Sequence, residues 1–91
     1  MPLQQEFDRA VEESKILKQR PSNEALLQLY ALFKQATEGD IAGERPGGFD
    51  FKAIAKHDAW ADLKGKTKDQ ATQEYIDLVA ELKKQYGLTG V

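Results

Sequence analysis

The positions of proline and glycine constrain the fold of this chain more than any other feature. After position 2, proline occurs only at Pro21 and Pro46, and glycine clusters between residues 39 and 48 before it returns at Gly65 and Gly87. Both residue types interrupt helices, so they divide the chain into four segments. Within the segments apolar residues recur at steps of three and four, and no stretch alternates as a β-strand does. The sequence therefore predicts an all-α fold of four helices.

Capping residues give approximate bounds for these helices. Ser22 or Asn23 can cap the second helix and Asp50 the third, while Thr67 and Gln70 have the spacing of a capping box for the fourth. The predicted bounds are about 4–18, 23–37, 50–63 and 68–86. With 91 residues, the chain is expected to form one domain, over 1–91.

The connection between the second and third helices is too long for a tight hairpin and suits a crossover on the surface. Its run Glu44-Arg45-Pro46-Gly47-Gly48 lacks the Lys-Ser/Thr ending of a phosphate-binding loop. We therefore interpret the run as an element that orders the crossover.

The second helix has a wider apolar face than a surface helix needs. Two adjacent stripes together span roughly 160°, against a minimum of about 100°. The stripes are Ala25-Leu29-Leu32-Ala36 and Leu26-Tyr30-Phe33-Thr37. Either this helix contacts two neighbours in a bundle, or part of its face lines a groove.

Composition excludes several classes of function. There is no cysteine, and His57 is the only histidine, so neither a thiolate nucleophile nor a two-histidine metal pair is available. Thirteen Lys plus Arg against 15 Asp plus Glu give a formal net charge of -2, the wrong sign for a nucleic-acid-binding domain, although the net charge leaves a local basic patch open. No signal segment or long apolar run is present. We expect a soluble, cytoplasmic protein without catalytic activity, metal or prosthetic group.

Aromatic and cationic residues share faces of the second and third helices. Tyr30 and Lys34 lie one turn apart, and Lys52, Lys56 and Trp60 recur at steps of four. If the two rows face each other, they form a cationic rim around an apolar trough. Spacing alone leaves open the ordinary alternative, in which the lysines are solvated and the rings pack in the core.

Three segments carry a resemblance to a known family: Tyr30-Ala31-Leu32-Phe33-Lys34-Gln35-Ala36-Thr37-Glu38-Gly39-Asp40, Glu44-Arg45-Pro46-Gly47 and Lys52-Ala53-Ile54-Ala55-Lys56-His57-Asp58-Ala59-Trp60. The chain resembles the acyl-CoA-binding protein family, also described as diazepam-binding inhibitor or endozepine-like, from about residue 6 to about residue 86. The resemblance implies an up-down-down-up four-helix bundle with a ligand groove flanked by the second and third helices.

The resemblance also implies which residues contact the ligand. They are Lys15, Tyr30, Ala31, Leu32, Phe33, Lys34, Lys52, Lys56 and Tyr75. Tyr30, Lys34 and Lys56 are expected near the 3′-phosphate of acyl-CoA, with Lys15, Lys52 and Tyr75 as further polar contacts. Three positions depart from the family's usual wording. Phe33 stands where tyrosine is frequent, Ile54 where lysine is common, and His57 where tryptophan is usual.

The function implied by the resemblance is non-enzymatic binding, transport and buffering of medium- and long-chain acyl-CoA esters. We expect a monomer that has no nucleic-acid partner and does not insert stably into membranes. The alternative from another class is a small helical module whose wide second helix docks a partner helix without a CoA ligand.

Overall fold

The computed structural model describes residues 3–89, and the backbone of this range forms four α-helices. They are α1 (Leu3–Ser14), α2 (Asn23–Glu38), α3 (Phe51–Ala61) and α4 (Lys68–Tyr86). The all-α prediction is confirmed. The predicted domain covered 1–91, and its positions 1, 2, 90 and 91 lie outside the described residues.

The predicted caps are present. The Ser22 hydroxyl accepts a hydrogen bond from the Ala25 N–H at 3.1 Å, and the Asp50 carboxylate accepts one from the Ala53 N–H at 3.0 Å. Thr67 and Gln70 form the reciprocal capping box at the start of α4. These bonds satisfy N–H groups that a helix leaves unpaired at its start. Local sequence therefore sets where α2, α3 and α4 begin.

Helix α1 ends at Ser14, earlier than the predicted bound near residue 18. The N–H groups of Lys15 and Ile16 bond to carbonyls three residues back, at 3.2 and 3.1 Å, which tightens the last turn. Leu17 then pairs with Leu88 in an isolated antiparallel bridge. This partner follows α4 in the chain, so the contact that stops α1 is not encoded locally.

Helix α3 ends at Ala61, also before the predicted bound near residue 63. The N–H groups of Leu63 and Lys64 again bond three residues back, at 2.9 and 3.1 Å. Gly65 follows with φ 95°, a conformation that glycine adopts without steric cost. The chain thereby turns into α4.

Contacts between helix ends fix the directions of the helices. Glu13 and Lys83, near the ends of α1 and α4, form an ion pair at 3.0 Å. The Gln35 amide, near the end of α2, donates to the Lys66 carbonyl just before α4 at 2.7 Å. The same side chain accepts from Trp60 near the end of α3 at 3.1 Å. Helices α1 and α4 are therefore parallel, as are α2 and α3, while α2 and α4 are antiparallel. The predicted up-down-down-up order is confirmed.

The core lies where α4 packs on α1 and α2, and α3 packs on α2 alone. Its buried members are Phe7, Ala10, Leu29, Leu32, Ala71, Tyr75, Val79 and Leu82. Since α3 has only one packing neighbour among the helices, grooves are left on both sides of α2.

Candidate functional site

Two rows of side chains meet across the interface of α2 and α3. The ammonium nitrogen of Lys56, on α3, lies 5.2 Å from the ring centroid of Tyr30 on α2. In the opposite sense, Lys34 of α2 lies 5.5 Å from the ring centroid of Trp60 on α3. Both distances fall within the range of cation–π attraction. The two rows that the sequence placed on separate helices therefore face each other.

A groove of about 540 Å³ opens beside these rows, between the first half of α2 and the first turns of α3. Such a volume is in the range of pockets that hold small ligands. The lining residues are Arg20, Asn23, Leu26, Leu27, Tyr30, Lys52, Ala55 and Lys56. Leucine and alanine form the apolar part, and one arginine and two lysines supply positive charge. We call this the cationic groove.

Lys34 is held by a carboxylate. Its ammonium group donates a hydrogen bond to the Glu38 carboxylate at 2.6 Å, and this bond is the main reason that the pKa of Lys34 is raised. The Lys34 side chain is 29% exposed. The Lys34 ammonium is therefore protonated and already paired with Glu38 when an anion approaches it.

Tyr75 and Phe33 belong to an aromatic cluster with Phe7. The ring centroids of Phe7 and Tyr75 are 5.1 Å apart, and those of Phe7 and Phe33 are 5.8 Å apart. The Tyr75 hydroxyl donates to the Ser14 hydroxyl at 3.2 Å, and burial raises the pKa of Tyr75. The structure places this phenol in the core with its polar end toward α1, while Phe33 remains partly exposed.

The four other predicted site residues do not all lie at the cationic groove. Lys52 is exposed and lines the cationic groove, and Lys15 is exposed near Glu12, 3.8 Å away. Ala31 and Leu32 are buried and line a second groove instead. The structure therefore does not bring the side chains of Ala31 and Leu32 to the cationic groove.

The second groove has a volume of about 560 Å³ and is bounded by α2, α3 and α4. Its apolar lining comes from Leu27, Ala31, Leu32, Ala59, Leu63 and Leu78. Four carboxylates stand around it, from Glu24, Asp62, Glu74 and Asp77. We call this the acidic groove.

A buried amide that sequence reasoning missed holds the ends of three helices together. Gln35 is 0% exposed, and its amide also donates to the Asp40 carboxylate at 2.9 Å. Asp40 accepts the Gly65 N–H at 2.9 Å as well, and these bonds lower the pKa of Asp40, the Gly65 bond most. Trp60 donates its indole N–H to Gln35 and to the Gly39 carbonyl. These hydrogen bonds fix the orientation of the Trp60 ring, whose face contacts the Lys34 ammonium.

The crossover is tied to α3 by Arg45, which forms a two-pronged ion pair with Asp58 at 2.9 and 3.0 Å. Arg45 thereby lowers the pKa of Asp58. This pair agrees with the interpretation of residues 44–48 as an ordering element. His57 is half-buried, and both of its ring nitrogens lack a hydrogen-bond partner among residues 3–89.

Within the described range, no group of three or more His, Cys, Asp or Glu residues is arranged to hold a metal ion. None of the helices in residues 3–89 combines the length and the hydrophobicity that a membrane span requires. Sequence reasoning also missed Arg20 and Asn23, which line the cationic groove. Neither lies on the apolar face of a predicted helix, so no pattern indicated them.

The chain is similar to known proteins in both sequence and fold. The family model described as "Acyl CoA binding protein" matches residues 4–79. The chain is 52% identical over 81 residues to acyl-CoA-binding protein homolog 1 of Caenorhabditis elegans, covering 89% of this chain and 94% of that protein. It is 51% identical over 79 residues to enoyl-CoA delta isomerase 2 of Rattus norvegicus, covering 87% of this chain but only 20% of the rat protein. The crystal structure of Oryza sativa acyl-CoA-binding protein 2 superimposes with a TM-score of 0.87 at 43% identity, covering 91% of this chain and 92% of the rice chain.

Proposed function

The chain belongs to the acyl-CoA-binding protein family, and from this premise we propose that it binds medium- and long-chain acyl-CoA esters reversibly and without catalysis. One observation carries the proposal. The contacts of Lys56 with Tyr30 and of Lys34 with Trp60 lie beside the cationic groove of about 540 Å³, whose leucine and alanine side chains are apolar. This arrangement combines the two chemistries that an acyl-CoA ester requires.

The ligand has an anionic nucleotide end and a hydrocarbon end. Its 3′-phosphate and diphosphate need point cations and phenol donors, adenine suits an aromatic face, and the tail needs a dry surface. We assign Tyr30, Lys34 and Lys56 to the 3′-phosphate. Lys15, Lys52 and Tyr75 are assigned to further polar contacts. Ala31, Leu32 and Phe33, whose side chains do not line the cationic groove, are assigned to ligand contacts outside it.

The energies explain why both ends are needed. Fourteen methylenes at ~0.8 kcal/mol each contribute roughly 11 kcal/mol if fully buried, and lost motion opposes binding by about 4 to 15 kcal/mol. The tail alone can therefore give almost no net affinity. Several charge-assisted hydrogen bonds at about 1.5 to 3 kcal/mol each then raise the total toward the ~12 kcal/mol of a nanomolar complex.

In the cell, this binding would serve transport and buffering of acyl-CoA in the cytoplasm by a monomeric carrier that keeps the tail from water. No metal or prosthetic group takes part in the proposal. Catalysis is not proposed, because within the described residues the single histidine has only an occupied carboxylate beside it, Asp58 at 3.6 Å. Asp58, the carboxylate beside it, is engaged by Arg45.

Titration calorimetry with the purified chain tests the proposal. We expect affinity to rise with acyl length from free CoA to palmitoyl-CoA, and palmitate to bind far more weakly because it lacks the phosphates. Equal affinity for palmitate and palmitoyl-CoA would overturn the proposal. Conversion of palmitoyl-CoA to CoA by the chain would contradict its non-enzymatic part.

The acidic groove favours the alternative function, a module that docks a partner helix. An apolar channel flanked by carboxylates suits an amphipathic helix with basic edges. Native mass spectrometry separates the two functions. A mass increment equal to an acyl-CoA supports the carrier, and a persistent protein complex without nucleotide supports the module.

A further inference from the structure

The two central cations of the candidate site differ in what already contacts them. Among residues 3–89, Lys56 forms no ion pair with a carboxylate, and its ammonium group lies over the ring of Tyr30. Lys34 lies over the ring of Trp60 and also donates a hydrogen bond to the Glu38 carboxylate at 2.6 Å. One of the two cations assigned to the 3′-phosphate is therefore already paired within the chain.

Glu38 is poorly placed to stabilise helix α2. It is the last residue of that helix, where a carboxylate faces the negative end of the helix dipole. Its partner Lys34 comes four residues earlier, which is the less favourable order for an ion pair along a helix. Both side chains are partly exposed, so solvent weakens their attraction. The fold therefore gives little reason for a glutamate at this position.

The end of α2 is also secured without the Glu38 side chain. Gly39 follows with φ 82°, and its N–H donates to the Gln35 carbonyl at 3.1 Å. The Gly39 carbonyl accepts the Trp60 indole N–H at 2.9 Å. Within the described range, the only hydrogen bond of the Glu38 carboxylate goes to Lys34. Its effect on Lys34 is thus separate from the capping of the helix.

A phosphate at Lys34 competes with Glu38 for the same donors. A lysine ammonium has three N–H donors, and at Lys34 one of them bonds to Glu38 while the Trp60 ring covers one side of the group. A phosphate that replaces Glu38 must break the existing bond. A phosphate that binds beside Glu38 brings two anions close together, and like charges a few ångströms apart repel each other. Either arrangement weakens binding of the phosphate.

We propose that Glu38 competes with the ligand for Lys34 and thereby limits how strongly the site selects the 3′-phosphate. Glu38 is in this sense a specificity-determining residue, since it reduces the difference in affinity between an acyl-CoA and its analogue without the 3′-phosphate. This role of Glu38 rests on the proposed function, because it concerns the same ligand and the same cation.

Titration calorimetry on the full chain with two ligands tests this role. Palmitoyl-CoA carries the 3′-phosphate, and palmitoyl-3′-dephospho-CoA lacks it. Glu38→Gln removes the charge and keeps the length of the side chain. This variant should bind palmitoyl-CoA about three- to fivefold more tightly than the wild type, the equivalent of about 0.7 to 1 kcal/mol. Its affinity for the dephospho analogue should equal that of the wild type.

The chain contains a closely matched control. Lys66 and Glu74 also form an ion pair, and their side chains are 26% and 49% exposed, against 29% and 52% for Lys34 and Glu38. Glu74 lines the acidic groove, on the other side of α2. Glu74→Gln changes the net charge by the same amount and should leave the affinity for both ligands unchanged. Equal gains in the two variants would mean that net charge alone acts, and would overturn the proposal.

Double variants assign the effect to one cation. In a chain that carries Lys34→Ala, Glu38→Gln should no longer raise the affinity for palmitoyl-CoA, because the cation for which the two anions compete is absent. In a chain that carries Lys56→Ala, the full gain should remain. A gain that persists without Lys34, or that is equally large with the dephospho analogue, would overturn the proposal. Melting curves verify that every variant folds.

The wild-type titration separates failure of this role from failure of the proposed function. A wild type that binds no palmitoyl-CoA would contradict the proposed function and the role of Glu38 together. A wild type that binds palmitoyl-CoA as tightly as Glu38→Gln does would overturn the role of Glu38 alone.

Discussion

Lys34 shows how one residue can serve both the folded chain and a ligand. Its hydrogen bond to Glu38 at 2.6 Å keeps the ammonium protonated, because the bond raises the pKa of Lys34. Both side chains are partly exposed, at 29% and 52%, so the pair itself is worth no more than about 1 kcal/mol. A phosphate can therefore bind Lys34 together with Glu38, or displace Glu38 from it, at a small cost in free energy.

Removal of either central cation should weaken acyl-CoA binding. Lys34→Ala and Lys56→Ala are each expected to cost about 1.5 to 3 kcal/mol of binding free energy, the size of a charge-assisted hydrogen bond, with helicity unchanged. Calorimetry with palmitoyl-CoA and with its analogue lacking the 3′-phosphate measures the effect. If loss of that phosphate costs the wild type and both variants the same amount, the phosphate assignment is wrong. Lys64→Ala is the matched control.

Substitution of His57 tests whether this position packs within the fold or contacts the ligand. Its ring is only 18% exposed and its nitrogens have no hydrogen-bond partners among the described residues. His57→Trp should therefore raise the melting temperature, because the indole adds apolar area and aromatic contact worth roughly 0.5 to 1.5 kcal/mol. Affinity for palmitoyl-CoA should change less than about tenfold. A larger gain in affinity without stabilisation would place position 57 in contact with the ligand.

At the scale of the helix, sequence predicted what is decided locally. The starts of α2, α3 and α4 follow from Ser22, Asp50 and Thr67, whose side chains bond within their own first turns. The end of α1 was predicted too late because Leu17 pairs with Leu88, a partner far along the chain. The facing rows of the cationic groove were left conditional for the same reason, since spacing gives the face of a helix but not its neighbour.

The sequence did not reveal that the Gln35 amide joins the ends of three helices. Substitution of Gln35 tests how much these hydrogen bonds stabilise the fold. Gln35→Ala should lower the free energy of unfolding by about 2 to 4 kcal/mol, because it opens a cavity and leaves the part-buried Lys66 carbonyl without its amide donor. Gln73→Ala is the matched control, since Gln73 is exposed and, among residues 3–89, its side chain bonds only to Asp77 on its own helix. It should change stability by no more than about 0.5 kcal/mol. Denaturant unfolding measures both, and equal effects would contradict the assignment.

The lowered pKa values of two carboxylates that hold the crossover in place predict that acid destabilises the fold. The pKa values of Asp40 and Asp58 are both lowered from their ordinary value of 3.8, so each stabilises the fold fully above that value and loses its contribution as pH falls further. Stability should decline as pH drops below about 4. The decline should be shallower in Asp40→Asn than in Asp69→Asn, which changes an exposed carboxylate. Melting temperatures measured across this range decide the prediction, and parallel curves would contradict it.

At the scale of the molecule, charge is unevenly distributed rather than simply negative. The cationic groove carries Arg20, Lys52 and Lys56, and the acidic groove on the other side of α2 carries only carboxylates among its charged lining residues. A net charge of -2 therefore does not predict repulsion of an anionic ligand. The charges that line the groove determine whether an anionic ligand is attracted, because charges farther away than about 8 Å are screened at physiological salt.

Salt should therefore weaken ligand binding even though the protein and acyl-CoA both carry net negative charge. We expect the affinity for palmitoyl-CoA to fall as ionic strength rises, since ions screen the phosphate contacts. The melting temperature should change little, because the fold depends on its apolar core. Calorimetry over a series of salt concentrations measures the slope, and the analogue without the 3′-phosphate should show a smaller one. An affinity that rises with salt would mean that net repulsion dominates and that the cations of the groove do not face the ligand's phosphates.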